Sequence, residues 1–435
     1  MEERRESRGA WWPLAVAREK ISSSEKPSAA AASPSTVADV ALNPVVDRDL
    51  TKPRLDVHPG AMAASLLTDD LILEILSRLP ARSLHQFKCV SVPWRHLITD
   101  PINRRKLPQA LAGFLYMAVS NNRQIHHHFA SVYGAVAPFD PALPYLHPNK
   151  DKVITQVDAC NGLLLYRRYK KNRAIPWTED ACHFVVCNPA TGRWVELPHP
   201  PQPQVPANSR NHTTGLAFDP MVSSHFHVLC FEYKFPGAYI AGVNIYSSRT
   251  GAWSRRDSGM VEKVILCSKC VYVGGMLYLI GNLKHINGEY VLVGVDMEGK
   301  VWKTIRVPYG RSFGTIGVSQ GCLHYAIASV DDNNKILVSE IALWCLKDHD
   351  SKELVLKHTA SLNKLMSMTG LVYQVAEIHP DCDTIFLVQF GGDTLVSYDM
   401  RHQKVGSILN LKKDSIHKFL PYVPLFSESL ADADG

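Results

Sequence analysis

Cysteine is sparse: ten residues, at 89, 160, 182, 187, 230, 267, 270, 322, 345 and 382, are scattered through 435 positions. That density is far below a disulfide scaffold, and free thiols are the expectation. Charge of one sign is scarce too. Lys and Arg number 47 against 41 Asp and Glu, for a formal +6. The basic residues do not gather into long runs, which argues against a nucleic-acid or membrane partner. The densest basic stretch is Arg167-Arg168 followed by Lys170, Lys171 and Arg173. It reads as a solvated loop, with an acidic partner as the minor alternative. No window of 18 apolar residues occurs, and "AWWPLAVA" near the start is too short to span a bilayer. Glu2, Glu3, Arg4, Arg5 and Glu6 open the chain, leaving no uncharged stretch of signal-peptide length. The chain therefore reads as soluble and intracellular, in cytoplasm or nucleus.

Catalytic signatures are lacking as well. There is no G-x-S-x-G nucleophile turn and no G-x-x-x-x-G-K-[ST] phosphate loop. Asp219, Asp296, Asp381 and Asp399 all sit at turns, where such residues usually bond their own backbone. His324 and His379 are lone strand histidines, and the structural reading outweighs a general base. Cys267 and Cys270 form one C-x-x-C with no second pair at ligand spacing, so buried strand thiols are expected rather than a metal site. In the run His126-His127-His128, neighbouring strand residues point to opposite faces and cannot converge on one ion. No catalytic residue, cofactor or metal is expected.

Three regions remain. Residues 1–62 are rich in Ser, Ala and Pro ("SSSEKPSAAAASPSTVAD") and without periodicity, so a disordered leader is expected. A translation start at Met62 would still give a compact protein.

Residues 65–106 carry helical spacing. Thr68 suits an N-cap, and Asp69 and Asp70 suit the positive end of a first helix. Leu71, Ile72, Ile75, Leu76 and Leu79 fall on one stripe, which Pro80 ends. Ser83 and Gln86 have capping-box spacing for a second helix with Leu84, Phe87 and Val90. Pro93 breaks it, and Trp94, Leu97 and Ile98 make a third short turn. A unit of about 40 residues without disulfide or metal needs an associate for stability. Its apolar stripe therefore calls for a protein surface, either another chain or its own β domain.

Residues 110–430 change to short alternating strands with turn signals. "VVCNPATGRWVELP" (185–198), "VNIYSSRTGAWSRR" (243–256) and "VGVDMEGKVWKTIRVP" (293–308) share a design of strand, polar turn with Gly, then Trp and a second strand. "LVSYDMRHQKVGSI" (395–408) repeats it with Val405 in the Trp position. "NGLLLY", "GGMLYLI" and "QGCLHYA" are a second recurring piece. Repeats of this length with about four strands each indicate a propeller of about six blades, with a β-sandwich as the competing architecture. Trp194, Trp253 and Trp302 are expected to pack between blades.

The stretch "LLTDDLILEILSRLPARSLHQFKCVSVPWRHLITDPINRR" (66–105) closely resembles the F-box. The likeness rests on Asp70-Leu71, Glu74-Ile75-Leu76, Leu79-Pro80, Ser83-Leu84, "FKCVS", Trp94 and Asp100-Pro101. Thr68 stands where F-boxes usually carry Pro. The remainder, through "CNGLLLY", "CNPATGRWVELP", "GLAFDP", "IHPDCDTIFLV" and "LVSYDM", is similar to the F-box-associated, kelch-like β-propeller of the large plant F-box family. The resemblance implies an α+β multidomain chain: a small three-helix F-box (65–106) followed by an all-β propeller (110–430). It implies docking on the Skp-type adaptor of a Skp–cullin–F-box ubiquitin ligase, and through it on the cullin, with the propeller holding an unknown protein substrate. The adaptor-facing residues it implies are Leu67, Leu71, Ile75, Leu76, Leu79, Pro80, Leu84, Val90 and Trp94, with Leu79-Pro80 central and Trp94 partly internal. A non-degradative F-box regulator and a glycan-binding propeller are the alternatives. Substrate contacts are expected in the polar segments around 167–180, 200–212 and 331–335.

Overall fold

The computed structural model describes residues 68–430 apart from 78–86, 88–89, 101–102, 104–110, 120–124, 133–136, 147–151, 171–182, 202–212, 221, 235–238, 261, 284–287, 310–313, 331–335, 349, 390–392, 413–414 and 426–429. The chain divides into residues 1–62 and 63–435. The expectations for the leader, for most of the second helix and for the polar segments 171–180, 202–212 and 331–335 lie outside the described residues.

Helix α1 spans Asp69–Ser77. It starts as its sequence suggests, with the Leu71 amide donating to Thr68 Oγ1 at 3.4 Å and two aspartates in the first turn. Helix α2 spans Val92–Thr99 and is longer than the short turn expected. Ser91 caps it, its Oγ accepting from the Trp94 amide. Pro93 lies in the first turn, where its missing N–H costs nothing, so it begins α2 as well as ending what precedes it.

The β region is a six-bladed propeller. Blade 1 joins β1 (Gly113–Val119) and β2 (Ile125–Ser131) to the last strand of the chain, and is three-stranded among the described residues. Blade 2 holds β3 (Lys152–Cys160), β4 (Leu163–Lys170), β5 (His183–Asn188) and β6 (Arg193–Glu196). Blade 3 holds β7 (Thr214–Ala217), β8 (His227–Lys234), β9 (Tyr239–Ser247) and β10 (Ala252–Asp257). Blade 4 holds β11 (Val264–Val273), β12 (Met276–Leu283), β13 (Glu289–Asp296) and β14 (Trp302–Arg306). Blade 5 holds β15 (Thr315–Ser319), β16 (Cys322–Val330), β17 (Ile336–Leu346) and β18 (Leu354–Ser361). After helix α3 (Asn363–Thr369), blade 6 holds β19 (Tyr373–Ile378), β20 (Thr384–Gln389), β21 (Thr394–Asp399) and β22 (Lys404–Asn410). The last strand, β23 (Ser415–Tyr422), pairs antiparallel with β1.

The turns explain the regularity. Asn161-Gly162, Gly274-Gly275 and Gln320-Gly321 each have both residues at positive φ, and their flanking residues pair directly across the hairpin. These are two-residue type I′ turns, whose twist matches that of the strands they join. The third and fourth strands meet through Gly192, Gly251, Gly299 and Gln403, also at positive φ. Asp296 and Asp399 accept backbone N–H groups inside those turns, as expected.

Each seam between neighbouring blades has its own apolar cluster. Leu229 and Phe231 meet Leu277 and Leu279, Leu165 and Val186 meet Val228 and Leu216, and Tyr278 and Ile280 meet Ile316 and Tyr325. Leu343 meets Leu387, Leu115 and Tyr422 meet Leu164, and Phe114 meets Phe386. Middle strands are covered on both faces and read as continuous apolar runs, whereas the outer β10 and β22 are largely exposed. The innermost strands pack in a closed ring, β23 on β3, then β7, β11, β15 and β19, which returns to β23.

Trp253 and Trp302 sit at these seams as expected, whereas Trp194 is 40% exposed and belongs to none of the seam clusters. The Trp253 ring lies 6.4 Å from Phe184 of the preceding blade, and its Nε1 donates to the Pro198 carbonyl at 2.7 Å. Trp302 meets Phe231 edge-on at 6.0 Å. Cys267 and Cys270 pack into different seams, and burial pushes the Cys267 thiol up to about 11. Among the described residues no group of three His, Cys, Asp or Glu side chains could hold a metal ion, and no helix is long and apolar enough to cross a membrane.

Candidate functional site

The α1 stripe divides into two faces. Ile72, Leu73 and Leu76 are buried together with Ile98 of α2, and Phe87, Trp94 and Leu97 pack on them. Leu71 and Ile75, one turn apart, remain 51% and 47% exposed. Val90 is 60% exposed, and Val92 beside it is similarly open. Among the described residues the outward apolar surface of the helical unit is Leu71, Ile75, Val90 and Val92. Leu76, expected among the outward residues, is instead fully buried in the unit's own core, because it lies on the side of α1 that packs on Ile98 of α2. Trp94 is half-buried, its ring 5.3 Å from that of Phe87. Leu67, Leu79, Pro80 and Leu84 lie outside the described residues. Val92 was missed, and its position directly before Pro93 at the start of a helix was the available signal.

The propeller offers two unlike ends. In a four-stranded up-and-down blade, the first-to-second and third-to-fourth connections share one end, and the remaining connections share the other. The first end carries the tight turns described above. The other carries the long connections 171–182, 197–213, 307–314 and 362–372, the last containing α3. Long connections on a rigid scaffold are where recognition residues are usually placed.

The axis is polar. Asp158 of β3 is buried and accepts from the Leu216 amide of β7 at 2.8 Å. Lys269 of β11 contacts Glu377 of β19 at 2.7 Å and donates to Thr315 of β15 and to the Ala376 carbonyl. Lys418 of β23 donates to the Val157 carbonyl at 2.8 Å. All six innermost strands thus contribute. Val157 and Ala376 are bulge residues, skipped by the ladder, so each lysine satisfies a carbonyl that strand pairing leaves open. Burial raises Asp158 to about 7 and raises Glu377, and it lowers Lys418. No motif announced these residues; the signal was a charge inside an innermost apolar strand ("QVDAC", "CSKCV", "VAEI", "HKFL").

The histidines behave as structural groups. Burial lowers His379 to about 4, and its ring stacks on Phe386. His324 is buried, its Nδ1 against the Cys322 carbonyl. His127 faces Tyr166, while His126 and His128 share the opposite face.

The family described as F-box protein At3g26010-like, β-propeller, matches residues 115–420, and the F-box domain matches residues 65–106. The chain belongs to this family. It joins an F-box domain to an F-box-associated β-propeller. Among its relatives in Arabidopsis thaliana, F-box protein At3g26010 is 25% identical over 373 residues, 81% of each chain. F-box protein At5g49610 is 25% identical over 74% of this chain and 86% of its own length, and F-box protein At1g47340 is 23% identical over 67% of this chain. The chain spans 63% of At1g47340 and 44% of F-box protein At5g07610. Similar solved structures include a chain of a nidogen–laminin complex, at 10% identity, TM-score 0.37, covering 71% of this chain and 96% of that one. Another is an arabinanase of Penicillium chrysogenum, at 9% identity, TM-score 0.37, covering 72% and 88%. At these scores the likeness says nothing about chemistry.

Proposed function

We propose that the chain is the substrate receptor of a Skp–cullin–F-box ubiquitin ligase, working in the cytoplasm or nucleus. The observation that carries this reading is the apolar surface left exposed on the F-box: among the described residues, Leu71, Ile75 and Val90 lie outside the cluster formed by Ile72, Leu73, Leu76 and Ile98. Burying side chains of this kind contributes about 1.5–3 kcal/mol each, enough for three or four to anchor an adaptor's helices. Leu67, Leu79, Pro80 and Leu84 extend the same surface by resemblance.

The chain itself makes and breaks no bonds. It holds a target at the end of the propeller that bears the long connections. The ligase then sees that target's lysines at high effective concentration.

Leu71→Asp with Ile75→Asp is the direct test, read by capture of purified Skp-type adaptor. The double variant should lose capture by at least about a hundredfold, since two charges would be desolvated at the interface, while the propeller's unfolding transition stays in place. Undiminished capture would overturn the assignment of this face.

A further inference from the structure

Arg168 lies where blade 2 meets blade 1, and its side chain is only 3% exposed. Part of the guanidinium is held: Nη2 pairs with Glu196 of β6, and the group lies 5.7 Å from the Trp194 ring. Nε and Nη1 have no partner. The other oxygen of Glu196 takes His183 Nδ1 at 2.8 Å. Tyr166 precedes Arg168 by two residues on the same face of β4, and Gln156 stands directly across the ladder from Tyr166. The Tyr166 hydroxyl has the Gln156 carboxamide as its side-chain neighbour. The His199 ring lies tilted against that of His183, with centroids 4.2 Å apart.

The other blades show that this arrangement is peculiar to blade 2. The same position of the second strand holds Glu232 in blade 3, Gly281 in blade 4 and Ile327 in blade 5. Glu232 is also charged and buried, yet both its oxygens are engaged, one by Asn244 at 2.6 Å and one by Arg255 at 2.9 Å. Arg168 keeps buried N–H groups idle. Buried polar groups are almost always paired, and a group left idle in a well-packed seam marks a missing partner. The idle groups of Arg168 are donors, its Nε–H and its Nη1 hydrogens. Such a set calls for an acceptor carrying negative charge.

We propose that the blade 1–blade 2 seam is an oxyanion-binding site, in which a carboxylate or phosphate takes the free N–H groups of Arg168. Charge-assisted bonds from a buried guanidinium are the strong kind, and the fork of Arg matches two oxygens of a carboxylate or phosphate better than Lys does. The site lies at the propeller end with the long connections, since Arg168 is two residues from the end of β4 at Lys170. An acidic or phosphorylated side chain on the target would arrive from that side. Only the identity of the carrier rests on the substrate-receptor reading; the site itself does not.

The test uses the full chain, labelled with 15N-arginine and titrated separately with three probes. These are inorganic phosphate, a glutamate-rich octapeptide and a phosphoserine octapeptide. The Arg168 Nε–H resonance is expected to move and saturate with phosphate, and with at least one peptide at lower concentration. Arg168→Lys should weaken phosphate binding at least about tenfold, while Arg193→Lys on the outer strand leaves it unchanged. If Arg168→Lys does not fold, the wild-type titration decides alone. No movement with any probe, or undiminished binding by folded Arg168→Lys, overturns the site. Response to free phosphate but to neither peptide keeps the oxyanion site and overturns its role in reading targets. Adaptor capture by the same preparation reports on the F-box separately.

Discussion

Gly162 and Gly192 show how the same residue type carries different weights. Both have positive φ, +91° and +71°. Around Gly192 a Cβ would meet nothing within 4 Å, whereas at Gly162 it would stand 2.4 Å from Leu425 Cβ and 2.7 Å from the Val423 carbonyl oxygen. Gly192→Ala therefore carries only the backbone cost of the left-handed region, about 1 kcal/mol. Gly162→Ala adds overpacking against the segment after β23, for a total of roughly 2–5 kcal/mol. Urea unfolding of the two variants should separate them clearly. Equal midpoints would mean that the 423–425 segment yields to the added methyl. The contrast was only half legible in the sequence, where both glycines appear as turn residues. Contact with Leu425 depends on a chain end more than 260 positions away.

At the level of elements, the repeated hairpins were readable because their chemistry is local. A two-residue turn with Gly and a strand-opening Trp recur wherever the backbone must do the same thing. What the pattern could not supply was each tryptophan's neighbour. Trp253 has Phe184 and the Pro198 carbonyl. Trp194 is 40% exposed, with Arg168 at its ring. Trp253→Ala should accordingly cost about 3–5 kcal/mol, as for a buried aromatic. Trp194→Ala should cost less than about half of that, since much of its area is already in water. Chemical denaturation gives both values, and a Trp194 cost equal to that of Trp253 would show that it is covered in solution. The α1 stripe taught the same limit. Spacing of 0, 1, 4 and 5 correctly marked one side of a helix, yet the division into inward Leu76 and outward Ile75 is set by α2.

Across the whole molecule, the polar axis is the feature least visible in the sequence, because its members are separated by up to 260 positions and meet only when the ring closes. Asp158 gives it a measurable signature. Unfolded, its carboxyl ionises near 3.8; folded, burial raises it to about 7 despite Lys418 nearby and the Leu216 amide. Between those values the folded chain holds a proton that the unfolded chain has lost. Stability therefore falls as pH rises through this window and levels off above 7. Three units correspond to at most about 4 kcal/mol. His379, lowered by burial to about 4, works in the opposite sense, adding stability as pH rises from there to its ordinary 6.5. Burial lowers His227 and His324 in the same direction. The total profile is thus mixed, and the difference between the wild type and Asp158→Asn isolates the carboxyl. From pH 5 to pH 8 the wild type should lose about 2–3 kcal/mol relative to the variant. The variant starts lower at pH 5, having exchanged one acceptor oxygen for an amide opposite the Ala159 and Leu216 N–H groups. Profiles that run parallel over this range would mean that Asp158 titrates like a carboxylate in water and that the axis is open to solvent.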